Sequence, residues 1–324
     1  MKAVVIRRYG ATEVLQYEEV EQPKIEPTQL LVKVRASSVN PIDWKIRQGM
    51  LSLITGSKFP KILGFDVAGD VVAVGSGVTR FKLGDAIYGC TSFPGGSYAE
   101  FAAVPEKVVA LKPTNLSYEE AAAVPLAALT ALQALRNEGN IQTGQAVLIN
   151  GAAGGVGTFA VQIAKALGAV VTGVSSSKNL DLVKSLGADR VIDYTQQDFT
   201  EDIAQYDIIF DAVGKRSLSQ TKRVLKPNGI YITTLPGPEV FLESVLTAFL
   251  SGQKAKFILQ KLNTQDLIYL KDLIEAGKIR VVIDRTYTLQ ELAAAHAYSE
   301  TGRAVGKITL VQPVVDIAVI TNNI

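Results

Sequence analysis

The residues best placed to do chemistry stand in the run Gly151-Ala-Ala-Gly154-Gly155-Val-Gly157. It follows the apolar, strand-like Ala146-Val-Leu-Ile149 and precedes the helix-like Thr158-Phe-Ala-Val-Gln-Ile-Ala-Lys165. A glycine turn in that position presents backbone N–H groups and the positive end of a helix dipole, which together can hold a pyrophosphate. Ala152 occupies the first position of the G-x-G-x-x-G spacing, with Gly154 and Gly157 at the other two. Alone, such glycines mark a turn; between this strand and this helix they predict a dinucleotide site over Gly151, Ala153, Gly154, Gly155 and Gly157.

The type of dinucleotide turns on the end of the next strand, about 20 residues on, where a carboxylate would bind the ribose 2′-hydroxyl of NAD. There the chain reads Val174-Ser-Ser-Ser-Lys178-Asn179, with no carboxylate before Asp181. Ser175, Ser177 and Lys178 offer hydroxyls and an ammonium to a 2′-phosphate, so NADPH is the expected cofactor. The same residues also fit an N-cap followed by a solvated lysine.

The elements that must position this turn alternate along the chain. Apolar strand-length runs (Ala146–Asn150, Val170–Val174, Val191–Asp193, Ile208–Val213, Ile230–Thr234) alternate with helical stretches at 155–167, 179–186 and 217–225, which predicts a parallel sheet covered by helices. Before it, short β-branched runs separated by Gly, Pro and Asp (Leu30–Val34, Val67–Val74, Ala86–Tyr88, Tyr98–Val104, Lys107–Leu111) predict a β-barrel or sandwich. Ser117-Tyr-Glu-Glu-Ala opens a helical run to Ala134 with a Ser cap, marking a domain boundary. After a helix at Asp266–Ala276 and an expected last sheet strand at Arg280–Ile283, a helix at Leu289–Glu300 and a strand at Gly306–Val311 read as a return to the first domain. The expected organisation is α/β, with residues 1–120 and 287–324 in a discontinuous first domain and 121–286 in a Rossmann domain.

Composition bounds the function. The 324 residues carry 33 basic and 31 acidic side chains, one cysteine and one histidine. A net charge of +2 with no dense Lys/Arg block disfavours nucleic acid as a partner. Cys90 alone cannot form an intramolecular disulfide and His296 alone cannot build a His-rich metal site, which suits a reducing cytoplasmic setting. The start, Met1-Lys-Ala-Val-Val-Ile6, reads as a strand rather than a secretory signal. No apolar run approaches the roughly 18 residues of a spanning helix.

Across nearly its whole length the chain resembles the medium-chain dehydrogenase/reductase superfamily. The resemblance is carried by Val39-Asn-Pro-Ile-Asp43-Trp-Lys-Ile-Arg47-Gln-Gly49, Gly64-Phe-Asp-Val-Ala-Gly69-Asp-Val-Val-Ala-Val-Gly75, Lys82-Leu-Gly84-Asp85, Gly96-Ser-Tyr-Ala-Glu-Phe101 and the glycine turn with its helix. It implies a GroES-like β-barrel domain beside the Rossmann domain. Zinc-dependent members hold their catalytic metal with residues at the places taken here by Asn40, Phe65 and Leu126, none of them a zinc ligand, so no metal is expected. The four-cysteine structural zinc lobe is missing too. What remains resembles the zinc-free branch, quinone oxidoreductases and alkenal/enone reductases including plant chloroplast-envelope members, which use NADPH to reduce quinones or conjugated carbonyls. A homodimer is implied as well.

A conjugated acceptor needs no Lewis acid: hydride adds at the β-carbon while charge spreads onto the carbonyl oxygen. The resemblance places Asn40 near the nicotinamide and Asp43, Lys45 and Arg47 at or behind the cleft floor. Asn40, Asp43 and Lys45 are the candidate catalytic residues, with Lys45 or water as proton donor. A structural Asp43–Arg47 ion pair with a solvated Lys45 is the competing reading. The resemblance adds Thr130, Val156, Tyr194, Val213, Leu235 and Arg303 to the cofactor contacts, again with Ser175 and Lys178, although the family's usual lysine position falls on Asn179. Trp44 is expected to pack, Cys90 to be a buried thiol and His296 to lie on a helix surface. Phe241–Leu250 reads as helix core, pocket wall or membrane contact. Two other functions stay open: a low-turnover NADPH-binding protein acting on RNA or a membrane surface, and an enoyl-thioester reductase with Arg47, Lys58 and Lys61 at its entrance.

Overall fold

The computed structural model describes residues 1–235 and 237–312; the tail after Pro313, to which the sequence assigned no element, lies outside them. A six-stranded, all-parallel sheet runs in the order Arg190–Asp193, Val170–Ser175, Ala146–Asn150, Tyr206–Asp211, Leu225–Thr233, Lys254–Phe257. The first strand in sequence lies at the centre and the order reverses beside it, the doubly wound pattern whose switch point sits at that strand's carboxyl end. Val147, Leu148 and Ile149 are fully buried because helices cover both faces, which explains the uninterrupted apolar run. The helix Gly155–Ala166 buries every residue from Gly157 to Ala164, among them Phe159 and Ile163. Each fully buried aliphatic or aromatic side chain of this kind contributes about 1.5–3 kcal/mol.

A second, seven-stranded sheet is built mainly from the N-terminal third, in the order Ile283–Thr288, Lys307–Val311, Gln29–Val39, Asp66–Val74, Ala86–Cys90, Val109–Leu111, with Phe101–Pro105 also paired to Gln29–Val39. Three further strands, Gln16–Glu19, Lys2–Ile6 and Lys61–Ile62, form a small sheet of their own. The C-terminal return is made by Lys307–Val311, antiparallel to Ala36–Val39. That strand also reaches the parallel sheet: Gly306 N–H donates to Ala153 O at 2.8 Å, and Gly154 bridges Gly306. The glycine turn is thereby tied to both sheets.

Three expectations need correction. The segment Arg280–Ile283 does not supply the last strand of the parallel sheet; Lys254–Phe257 takes that edge, and Ile283–Thr288 joins the other sheet. Lys-Ala-Lys-Phe buries only Ala255 fully, so this edge strand has no apolar run to betray it. The helical run to Ala134 is broken into Tyr118–Ala122, capped by Ser117, and Pro125–Gln133, because Pro125 lacks an N–H and starts a new first turn. The core reading of Phe241–Leu250 fails as well: of the helix Pro238–Ala248 only Val240 is buried, while Phe241, Leu242, Val245 and Leu246 are exposed. No helix of the described residues is long and apolar enough to cross a membrane.

Candidate active site

Asn40 ends the long strand Gln29–Val39 and caps the helix Pro41–Arg47 in an extended conformation, with Pro41 fixing the first helical position. Its backbone N–H donates to Asp43 Oδ2 at 2.7 Å, and Tyr98 OH donates to the same oxygen at 2.9 Å. Asp43 is therefore a buried brace behind Asn40. Burial pushes its carboxyl up to about 7 against the lowering effect of those two bonds, and Oδ1 is buried without a partner.

The Asn40 side chain is held from both ends. Nδ2 donates to Asp66 Oδ2 at 2.7 Å, and Lys307 Nζ donates to Asn40 Oδ1 at 2.6 Å and to Asp66 Oδ2 at 3.4 Å. Ser38 Oγ also donates to Asp66 Oδ2, and Leu126 N–H donates to Asp66 Oδ1 at 2.8 Å. Asn40, Asp66 and Lys307 are all buried. The stem of Lys307 runs back toward the glycine turn, where a Cβ on Gly155 would lie 3.1 Å from its Cδ. Sequence reasoning missed Lys307; the available signal was a lone cation inside the strand-like Gly306-Lys-Ile-Thr-Leu310.

The turn itself demands glycine. A Cβ on Gly157 would fall 2.0 Å from Gly151 O, and Gly151 has φ +80° with Val213 Cγ2 2.6 Å from where a Cβ would stand. Gly154, by contrast, faces open space, with Gly151 O at 3.4 Å as the nearest atom a Cβ would meet. This is a backbone cradle at the N-terminus of a twelve-residue helix, and it fits a pyrophosphate. Beside it, buried Asp211 accepts from the N–H groups of Val213, Gly214, Lys215 and Arg216 at 3.0–3.1 Å, from Asn150 Nδ2 at 2.9 Å and from Tyr231 OH at 3.0 Å. The loop so fixed carries Val213 against the turn, and Leu235 packs on Gly214.

The remaining candidates are spread along this edge and the facing sheet. Ser175 is buried at the end of its strand, whereas Ser177, Lys178, Tyr194 and Arg303 are exposed. Val156 is half-buried against the core of the parallel sheet, and Thr130 donates back to Leu126 O at 2.7 Å. Lys45 is half-buried, 5.6 Å from the Trp44 ring, and burial lowers its ammonium from the ordinary value. Trp44 donates to Ser299 Oγ at 3.2 Å, consistent with packing.

Two readings are corrected. Asp43 and Arg47 form no ion pair: Arg47, fully buried, pairs with Glu300 at 2.7 Å and donates to Gly10 O and, at 3.4 Å, to His296 Nδ1. His296 is not on a helix surface but fully buried, its ring edge-on to Tyr98 at 5.7 Å. Its Ala-rich helix offers little polar face to orient it by eye; Leu292 and Ala295 pack into the core on the same side, and His296 goes in with them. Burial and Arg47 push the imidazole down to about 3. Cys90 is the expected buried thiol, raised well above its usual range by burial and by Asp66.

A doubly wound sheet with a glycine cradle at its switch point, backed by a second sheet that contributes Asn40 and Lys307, is the architecture of a dinucleotide-dependent oxidoreductase. Family models agree: an alcohol dehydrogenase GroES-like domain matches residues 26–114 and a zinc-binding dehydrogenase domain residues 186–310. The chain is 37% identical to the chloroplast envelope quinone oxidoreductase homolog of Arabidopsis thaliana, with 97% of this chain and 98% of that protein covered. It is 36% identical to the chloroplastic NADPH-dependent alkenal/one oxidoreductase of the same plant, covering 96% of this chain and 79% of that one. The quinone oxidoreductase of Coxiella burnetii superposes with a TM-score of 0.88 at 33% identity, covering 96% of this chain and 99% of the other. The chain belongs to the medium-chain dehydrogenase/reductase superfamily, in the branch of quinone oxidoreductases and alkenal/enone reductases, and is an oxidoreductase that works with a nicotinamide cofactor.

The second family description names zinc, and the donor set does not fit it. Phe65 packs against Phe93, both oxygens of Asp66 already accept hydrogen bonds, and Lys307 brings a cation against that carboxylate. Among the described residues no three His, Cys, Asp or Glu side chains come together as a metal site.

Proposed function

We propose that the chain transfers hydride from NADPH to the conjugated double bond of an α,β-unsaturated ketone or aldehyde, or to a quinone, without zinc. The observation that carries this reading is the Lys307–Asn40–Asp66 network, in which an ammonium neutralises the carboxylate and an amide N–H donates to it at the place where zinc-dependent relatives keep their metal. Bound NADPH supplies the hydride. The chain's own residues bind and orient: the glycine cradle takes the pyrophosphate, Ser175, Ser177 and Lys178 take the 2′-phosphate, and Asn40, braced by Asp43, borders the nicotinamide. Val213, Leu235, Thr130, Val156, Tyr194 and Arg303 complete the cofactor contacts. Lys45, its ammonium made more acidic by burial, or a water beside it delivers a proton to the α-carbon, completing the addition of one hydride and one proton across the double bond.

The test is NADPH oxidation against a panel of a short enal, a long-chain enone, a quinone and an enoyl thioester, on the wild-type chain and on Lys45→Ala. Turnover on the enal, enone or quinone supports the proposal, and a fall of about 10²-fold in Lys45→Ala assigns the proton to the lysine. Inactivity on all four with tight NADPH binding would replace it with a binding function.

A further inference from the structure

The second and third strands of the parallel sheet end side by side, with Ser175 opposite Asp193 in register. This pairing brings a carboxylate to a place where the sequence, read along a single strand, has none. Asp193 Oδ2 accepts from Ser177 Oγ, while Oδ1 accepts from the N–H and the hydroxyl of Thr195 at 2.9 and 2.7 Å. The Ser177 and Thr195 hydroxyls lie 3.1 Å apart, on the same rim as exposed Lys178 and Tyr194. Those hydroxyls hold the Asp193 carboxyl below its ordinary value.

We propose that Asp193 sets the selectivity between NADPH and NADH. Its carboxylate draws the Ser177 hydroxyl away from a 2′-phosphate and repels that phosphate, whereas it can accept a hydrogen bond from the bare 2′-hydroxyl of NADH. The inference rests on reading Ser175–Lys178 as the 2′-phosphate site, where Lys178 and Asp193 then act in opposite directions. A carboxylate on the rim that would hold the phosphate, in near-aqueous surroundings, repels it enough to change affinity on the order of three- to tenfold. The chain therefore discriminates less sharply than a site with the ammonium alone.

Asp193→Asn removes the charge and keeps the turn, because the amide oxygen still accepts from Thr195 N–H. Dissociation constants for NADPH and NADH, measured by calorimetry on the wild-type chain, Asp193→Asn and Lys178→Ala, separate the possibilities. Asp193→Asn is expected to bind NADPH about three- to tenfold more tightly and NADH no more tightly than before, with the gain shrinking as salt is added. An unchanged NADPH-to-NADH ratio, whether both constants stay or both move together, overturns the proposal, since a purely structural residue would affect the two alike. A wild-type preference for NADH with no effect of Lys178→Ala would overturn the 2′-phosphate assignment and the selector with it; weaker NADPH binding in Lys178→Ala beside an unchanged ratio in Asp193→Asn would overturn the selector alone.

Discussion

Lys307 Nζ lies 2.6 Å from Asn40 Oδ1 and 3.4 Å from Asp66 Oδ2, in a setting sealed from solvent. The ammonium has two consequences. It fixes which way the Asn40 amide points, because only Oδ1 can accept from a lysine, leaving Nδ2 for Asp66. It also compensates a buried carboxylate, and removing one partner of such a pair costs more than the pair is worth.

Lys307→Met is accordingly expected to lower equilibrium stability by about 3 kcal/mol or more. Adding Asp66→Asn to the same chain should recover part of that loss. Urea midpoints for the two single variants and the double variant give the coupling. Additive midpoints would show that the ammonium does not compensate Asp66.

Asp43 and His296 give opposite pH dependences over nearly the same range. Burial raises Asp43 from 3.8 to about 7, so between those values the folded chain holds a proton that the unfolded chain has lost, and stability falls as pH rises. His296 is lowered from 6.5 to about 3, so between those values the unfolded chain holds the extra proton, and stability rises with pH. In the wild-type chain the two largely cancel between pH 4 and 6.5, a window bounded by the same shifts. Asp43→Asn should expose a stability that climbs through this window, and His296→Gln one that declines, each with a slope approaching about 1.4 kcal/mol per pH unit. Denaturant unfolding at a series of pH values reads both slopes, and parallel profiles for the two variants would contradict the assignment.

What could be read from the sequence divides along physical lines. The cradle was legible because backbone crowding at Gly157 and the positive φ at Gly151 demand glycine at fixed positions. The central strands were legible because burial on both faces forces apolar runs. Lys254–Phe257 was not, since an edge strand with one fully buried residue leaves no such run. His296, Lys307 and Asp193 escaped for a different reason. Their surroundings are set by Arg47, Asn40 and Ser177, partners 249, 267 and 16 residues away in sequence, which only the fold brings together. Domain class was thus legible from local pattern, while the electrostatics of the site was not.

Two alanine substitutions within the cradle should separate folding from binding. At Gly157 a Cβ would stand 2.0 Å from Gly151 O and 2.8 Å from Ala152 Cα, both backbone atoms that cannot swing aside. Gly157→Ala must therefore distort the turn, and a loss of stability of about 2–4 kcal/mol is expected together with loss of cofactor binding. At Gly154, with φ −79° and only Gly151 O at 3.4 Å in reach, the fold has room for a methyl group. Gly154→Ala should cost only about 1 kcal/mol of stability, the loss of a glycine N-cap. Its methyl fills the space offered to the pyrophosphate, however, so NADPH affinity should drop at least about tenfold. Thermal unfolding and calorimetric titration of the same samples check both halves. If Gly154→Ala bound NADPH as the wild type does, the cradle would be a packing device and the cofactor would have to lie elsewhere.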